Sequence, residues 1–140
     1  NENTSYEVTE AHHGDIVKAG KCYLAPGDYH MSLVTNKNIV NKIALNQEEK
    51  ECFVRPSVNY LFRSAEALSG SCLFVVLTGM GSDGLSGIDF LTKKDFLPDV
   101  LIQDEKSCAV WGMPGEIFHK QTYTEMRSLV EIKDILSKII

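Results

Sequence analysis

Phe74-Val-Val-Leu-Thr-Gly-Met-Gly-Ser-Asp-Gly84 is the stretch on which the reading of the fold turns. Phe74 to Leu77 form a continuous apolar run with two β-branched members. Such a run suits a strand buried on both faces, as in a parallel sheet. Gly79, Gly81 and Gly84 follow closely. Glycine takes positive φ cheaply and lets other groups approach the backbone. From Leu85 to Lys94 the pattern turns helical, with Leu85, Ile88 and Leu91 three apart. The stretch therefore reads as strand, tight turn, helix. Ligands and catalytic groups of open α/β sheets gather at the carboxyl ends of strands. Asp83 stands there, at the mouth of the helix.

Three readings compete for this turn. In the first, Asp83 is only a helix N-cap that accepts backbone N–H bonds. In the second, Gly79-x-Gly81-x-x-Gly84 is a dinucleotide-binding fingerprint, with Asp104 as the acid some way on. That reading places the Asp83 carboxylate beside a pyrophosphate on the helix N-terminus, a like-charge conflict. In the third, Asp83 is the acid of a hydrolytic triad, orienting a histidine that serves a nucleophile.

Further motifs favour the third reading. Leu77-Thr-Gly-Met-Gly-Ser-Asp-Gly84 resembles the signature of the chemotaxis protein-glutamate methylesterase family, CheB. Upstream, Tyr23-Leu-Ala-Pro-Gly-Asp-Tyr-His-Met31 and Arg55-Pro-Ser-Val-Asn-Tyr-Leu-Phe62 are similar to the same family in the same order. So, downstream, are Gln103-Asp-Glu-Lys-Ser-Cys108 and Gly112-Met-Pro-Gly-Glu116. The resemblance runs from about Tyr6 to the C-terminus. It implies that Asp83 is the triad acid and that the Met80 backbone N–H helps form the oxyanion hole. It also shows two departures. Gly115 stands where the family commonly has a basic residue, and the Asp95–Pro98 connection lacks the usual glycine turn.

Outward from the turn, Arg55-Pro-Ser57 opens a helix, with Ser57 a good N-cap. Val58, Leu61, Phe62, Ala65 and Leu68 give it one apolar face, and Gly70 ends it. Arg55 is expected to pair with an acid. Farther upstream, Ser5–Thr9 and Lys21–Ala25 read as strands. His30–Thr35 and Ile39–Leu45 read as two more, so that the last three form an antiparallel meander. Pro26-Gly27-Asp28 is turn chemistry, with Gly27 free to take positive φ. His30 is expected to bond within that turn, because the family's triad histidine lies elsewhere. His12 and His13 read as exposed loop residues. Downstream, Val100–Gln103 is a short buried strand, Trp111–Lys120 a helix beginning at Pro114 with His119 solvated, and Leu129–Ile139 an amphipathic helix.

Length and composition bound the rest. The 140 residues are one domain's worth of chain, with 44% hydrophobic and 24% charged residues. A net charge of −5 without a basic run argues against a nucleic-acid surface. No run is long enough to span a bilayer. Cys22, Cys52, Cys72 and Cys108 make no C-x-x-C pair, so a zinc site is not expected. Free, mostly buried thiols are expected, with a disulfide left open. Neither a metal nor another cofactor is expected, and NAD in particular is not.

A triad needs a nucleophile, a base and an acid. The family supplies serine and histidine from turns upstream of where this chain begins, and no G-x-S-x-G elbow occurs here. The expectation is the C-terminal portion, residues 1–140, of a methylesterase catalytic domain. Its expected class is α/β: three α/β/α layers with a mainly parallel sheet and an antiparallel meander, incomplete on its N-terminal side. The resemblance implies a cytoplasmic hydrolase of glutamate γ-methyl esters, also deamidating glutamines, on the cytoplasmic domain of methylated chemoreceptors. It further implies a covalently linked receiver domain upstream, and no nucleic-acid or membrane partner. A non-catalytic interaction module of the same fold is the alternative from another class.

Overall fold

The computed structural model describes residues 6–35, 41–68 and 70–139. Strand β1 (Glu7–Glu10) pairs in parallel with β2 (Lys21–Leu24), Val8 opposite Cys22. Strands β3 (His30–Thr35) and β4 (Asn41–Asn46) form an antiparallel pair, His30 opposite Asn46. Ile39 and Val40, read as the start of that second strand, lie outside the described residues.

The expected three-stranded meander is thus corrected to a two-stranded one, because β2 joins β1 instead. The intervening turn explains this. Its left-handed residue is Asp28, with φ 67, rather than Gly27. Its backbone is tied away from β2 by Asp28 N–H donating to Arg55 O at 3.2 Å. The Arg55 guanidinium then grips the Asp28 carboxylate at 2.6 and 3.2 Å, the acid pairing expected of it. That grip also lowers the Asp28 carboxyl below its usual range.

Helix α1 (Val58–Ser64) continues as a 3-10 turn, Ala65–Ala67. It leads into β5 (Leu73–Val76), which is followed by α2 (Leu85–Thr92) and β6 (Asp99–Gln103). Helix α3 (Met113–Lys120), β7 (Glu125–Arg127) and α4 (Leu129–Ile139) complete the chain. Strands β5, β6 and β7 lie side by side, all parallel, with Phe74 opposite Val100 and Leu101 opposite Glu125. Side chains alternate across a pleated strand. One face therefore offers Phe74, Val76, Val100 and Ile102 to Phe62 of α1, Ile88 and Leu91 of α2 and Ile117 of α3. Phe62 and Phe74 stack with ring centroids 4.0 Å apart. Each ring taken out of water contributes about 2 kcal/mol.

The opposite face is less covered. Helix α4 reaches it, with Ile132 buried, and Ile135 and Ile139 border a groove with Leu73 and Leu101. Val75 is only half-buried there, and Leu73 and Leu77 are exposed. The expectation that the Phe74–Leu77 run is buried on both faces is corrected accordingly. Three helices crowd one face, and among the described residues β5 is paired along one edge only.

The connection after α2 departs from a glycine turn in residue but not in geometry. Asp95 itself takes the left-handed conformation, φ 59, while Phe96 N–H bonds back to Leu91 O at 3.0 Å. That long backward bond is the Schellman way of ending a helix. The four thiols are free. Cys22 and Cys52 are exposed and Cys72 and Cys108 half-buried, a correction to the buried positions expected of them. Cys22 sits on the outer face of β2 and Cys52 on a turn. Among the described residues, no helix is long and apolar enough to cross a membrane.

Candidate active site

Asp83 lies just beyond β5, as its place in the sequence requires, and it is 6% exposed. Its partners are not on its own helix. The N-cap of α2 is Gly84, and the Asp83 carboxylate instead reaches the start of α1. Oδ1 accepts from Ser57 Oγ at 2.8 Å and from the Asn59 N–H at 2.9 Å. Oδ2 accepts from the Val58 N–H at 2.7 Å. The orphan donors at a helix N-terminus are thus met by a side chain from another element.

Asn59 returns the favour. Its Oδ1 accepts from the N–H groups of Gly84 and Gly87, at 2.9 and 2.8 Å, at the start of α2. The two helices therefore cap each other. Gly87 lets them close to this distance: a Cβ there would stand 2.8 Å from Phe62 Cβ and 3.0 Å from Asn59 O. Ser57 stands at the N-cap of α1 as expected, but its hydroxyl makes no cap bond to α1 and goes to Asp83. The clasp also bears on the dinucleotide fingerprint. Asn59 Oδ1 occupies the N–H groups on which a pyrophosphate would rest, and Asp104 caps its own 3-10 turn through Ser107.

A carboxylate offers about four acceptor positions. Among the described residues three bonds are made here, two on Oδ1 and one on Oδ2, which leaves one position on Oδ2 for an additional donor.

Met80 sits at the crest of the same turn, 86% exposed. The turn is pinned on either side. Gly79 N–H donates to Val110 O at 3.2 Å, and Gly79 O accepts from Gly112 and Met113 N–H at 3.1 and 2.8 Å. Among the described residues no acceptor meets the Met80 N–H. Asp83 and Met80 therefore flank one end of one strand. Beside them, Gly115 lies beneath Trp111, and a Cβ there would meet the indole at 2.9 Å. A longer basic residue at that position would displace the ring.

His30 is fully buried, with its ring stacked on Tyr60 at 4.3 Å. Its partners correct the expectation of a bond within the Pro26–Asp28 turn. Nδ1 accepts from the Ser57 N–H at 3.2 Å, and the Nε2–H then donates to Glu49 O at 2.9 Å. A serine, a histidine and an aspartate thus meet here, but wired wrongly for a triad. Ser57 Oγ bonds the aspartate directly, and His30 touches the serine's backbone only. Replacing His30 by Ala should cost about 3 kcal/mol of stability through the cavity and the orphaned Ser57 N–H. Thermal melts of the variant beside the parent check this. His12, His13 and His119 are exposed, as expected.

Asp83 and Met80 were legible as neighbours, but the residues that hold Asp83 were not. The available signal was a pair of strong capping residues, Ser57 and Asn59, two apart at one helix start. Among the described residues, no group of three or more His, Cys, Asp or Glu side chains is placed to hold a metal ion.

The fold and site define an α/β domain with a parallel sheet and an acid clasped at the carboxyl end of a strand, where such folds keep their chemistry. Residues 1–136 match the family model of the CheB methylesterase. A protein-glutamate methylesterase/protein-glutamine glutaminase 2 of Methanosarcina mazei is 38% identical over 98% of this chain and 38% of its own length. A protein-glutamate methylesterase/protein-glutamine glutaminase 1 of Rhodospirillum rubrum is 47% identical over 77% of this chain and 27% of its own. The crystal structure of the Thermotoga maritima CheB methylesterase catalytic domain superposes with a TM-score of 0.83 at 31% identity, over 94% of this chain and 68% of that one. The chain belongs to the CheB methylesterase family. It spans less than two fifths of the length of the two relatives named.

Proposed function

We propose that this chain is the acid-bearing part of a protein-glutamate methylesterase, with serine and histidine supplied by residues that precede Asn1. The observation that carries this is the open acceptor position on a buried, clasped Asp83 at the carboxyl end of β5. A histidine ring N–H donating to Oδ2 would be held in one tautomer and orientation. It would take the proton of a serine as that serine attacks the γ-methyl ester, and Asp83 would stabilise the imidazolium formed. The Met80 N–H, free on the exposed crest of the turn, would donate to the developing oxyanion. Methanol leaves, and water then releases the glutamate. Glutamine in place of the ester gives deamidation by the same steps. Among the described residues β5 is paired along one edge only and β1–β2 is a sheet apart from β5–β7, which supports a place there for strands that would carry the serine and histidine. The methylated cytoplasmic part of a chemoreceptor is the substrate this family reading favours, and adaptation in chemotaxis its setting. A linked receiver domain and a cytoplasmic location go with it.

The test compares this chain alone with the chain joined to its native upstream residues. Methanol release from methylated receptor should be absent in the first and present in the second. A lengthened protein that folds and binds receptor, yet releases none, would instead favour an interaction module.

A further inference from the structure

The chain between Glu51 and Val54 reverses in a tight turn. Val54 N–H donates to Glu51 O at 2.9 Å, and the two residues between, Cys52 and Phe53, have φ of 49 and 65. Positive φ at both central positions belongs to turns that glycine, asparagine and aspartate dominate. A bulky aromatic residue there is strained. The surroundings impose the conformation. Arg63 binds the Glu51 carboxylate, with Nη1 at 3.1 Å, and Asn59 Nδ2 donates to Cys52 Sγ at 3.6 Å. Arg55 holds the carbonyls of Gln47 and Glu48 at 2.9 and 2.8 Å. The strain wins no packing, since Phe53 is 96% exposed.

Isolated exposed apolar residues are ordinary on protein surfaces. This one differs in two ways. Its backbone conformation is costly, and strain of this kind clusters at functional sites. The turn is also tied to the candidate acid, since Asn59, which holds Cys52, gives its own N–H to Asp83.

We infer that Phe53 is a substrate-docking residue, its ring packing against an apolar side chain of the polypeptide that flanks an esterified glutamate presented at Asp83. This rests on the methylesterase reading. The occupant is a polypeptide because Phe53 belongs to a different segment from Asp83, one residue beyond the Cys52 that Asn59 ties to it. A ligand that meets both extends past a single esterified residue. The relatives' names, which put the reacting glutamate or glutamine in a protein, point the same way. Met80, 86% exposed on the other segment that meets at Asp83, offers such a chain an adaptable second contact.

The test uses the chain joined to its native upstream residues and two substrates. One is a helical peptide carrying a glutamate γ-methyl ester, and the other a blocked single-residue glutamate γ-methyl ester. In Phe53→Ala, the ratio of kcat/KM for the peptide to that for the single residue should fall about tenfold, the loss typical of an interface aromatic. Phe53→Trp should restore it, and the melting temperature of both should match the parent, because Phe53 packs against nothing. An unmoved ratio in an active parent overturns the inference alone. So does an equal fall on both substrates, which would mean that the turn acts through the position of Asp83. A parent inactive on both substrates removes the methylesterase reading and the inference with it.

Discussion

Replacing Asp83 by Asn, in the chain joined to its upstream residues, is expected to lower turnover about ten-thousand-fold and stability by about 2 kcal/mol. On the proposed triad, the first effect is the usual consequence of taking the charge from its acid, about 5 kcal/mol of barrier. The amide no longer stabilises an imidazolium and favours the wrong histidine tautomer. The second effect comes from the clasp. Asp83 accepts three hydrogen bonds from the start of α1, spread over both oxygens. Asparagine has one oxygen and an NH₂ group. Whichever way it turns, a donor faces a donor at the buried helix end. Methanol release measured well below the melting temperature separates the two losses. Near-normal turnover would remove Asp83 from the mechanism.

Gly112→Ala is expected to cost about 3 kcal/mol of stability. The added methyl would stand 2.4 Å from Gly79 O and 3.0 Å from Gly81 N. Both are backbone atoms, so no side-chain rotation relieves the contact. The carbonyl that would be struck is the one accepting from Gly112 and Met113 N–H. Relief therefore means moving the Gly79–Gly81 turn, and with it the Met80 N–H. In the chain joined to its upstream residues, turnover per folded molecule should fall as well, on the order of a hundredfold if that N–H serves the oxyanion. A denaturant titration reports the first loss and steady-state methanol release the second. A fully stable variant would show that the turn yields more easily than its hydrogen bonds indicate.

What the sequence made legible follows local physics. The apolar spacing of Leu85, Ile88 and Leu91 set α2, and two of these are deeply buried against the sheet. Leu129, Ile132 and Ile135 did the same for α4. Both ends of β3 were read from alternation and turn residues. What stayed hidden is held by distant partners. Strand β7 is three residues, Glu-Met-Arg, too short for a pattern, and exists because β6 offers it a register. The parallel pairing of β1 with β2 leaves no trace in either segment. The same holds at the site. Asp83 and Met80 sit in one motif and were found together. The helix that grips Asp83 begins about 25 residues earlier, and nothing in either segment announces that their ends meet. Phe53 escaped because a lone aromatic in a polar stretch has no signature; its backbone angles gave it away.

The reciprocal capping of α1 and α2 changes what an aspartate at this position says about a descendant of this chain. Asp83 holds one helix while Asn59 on that helix holds the other. On the proposed mechanism, a lineage that gave up hydrolysis would lose its serine and histidine to drift. It would still be selected to keep the aspartate, because the architecture depends on it. Retention of this residue is therefore poor evidence of a working enzyme, and its loss would signal a remodelled helix junction before it signalled a lost activity.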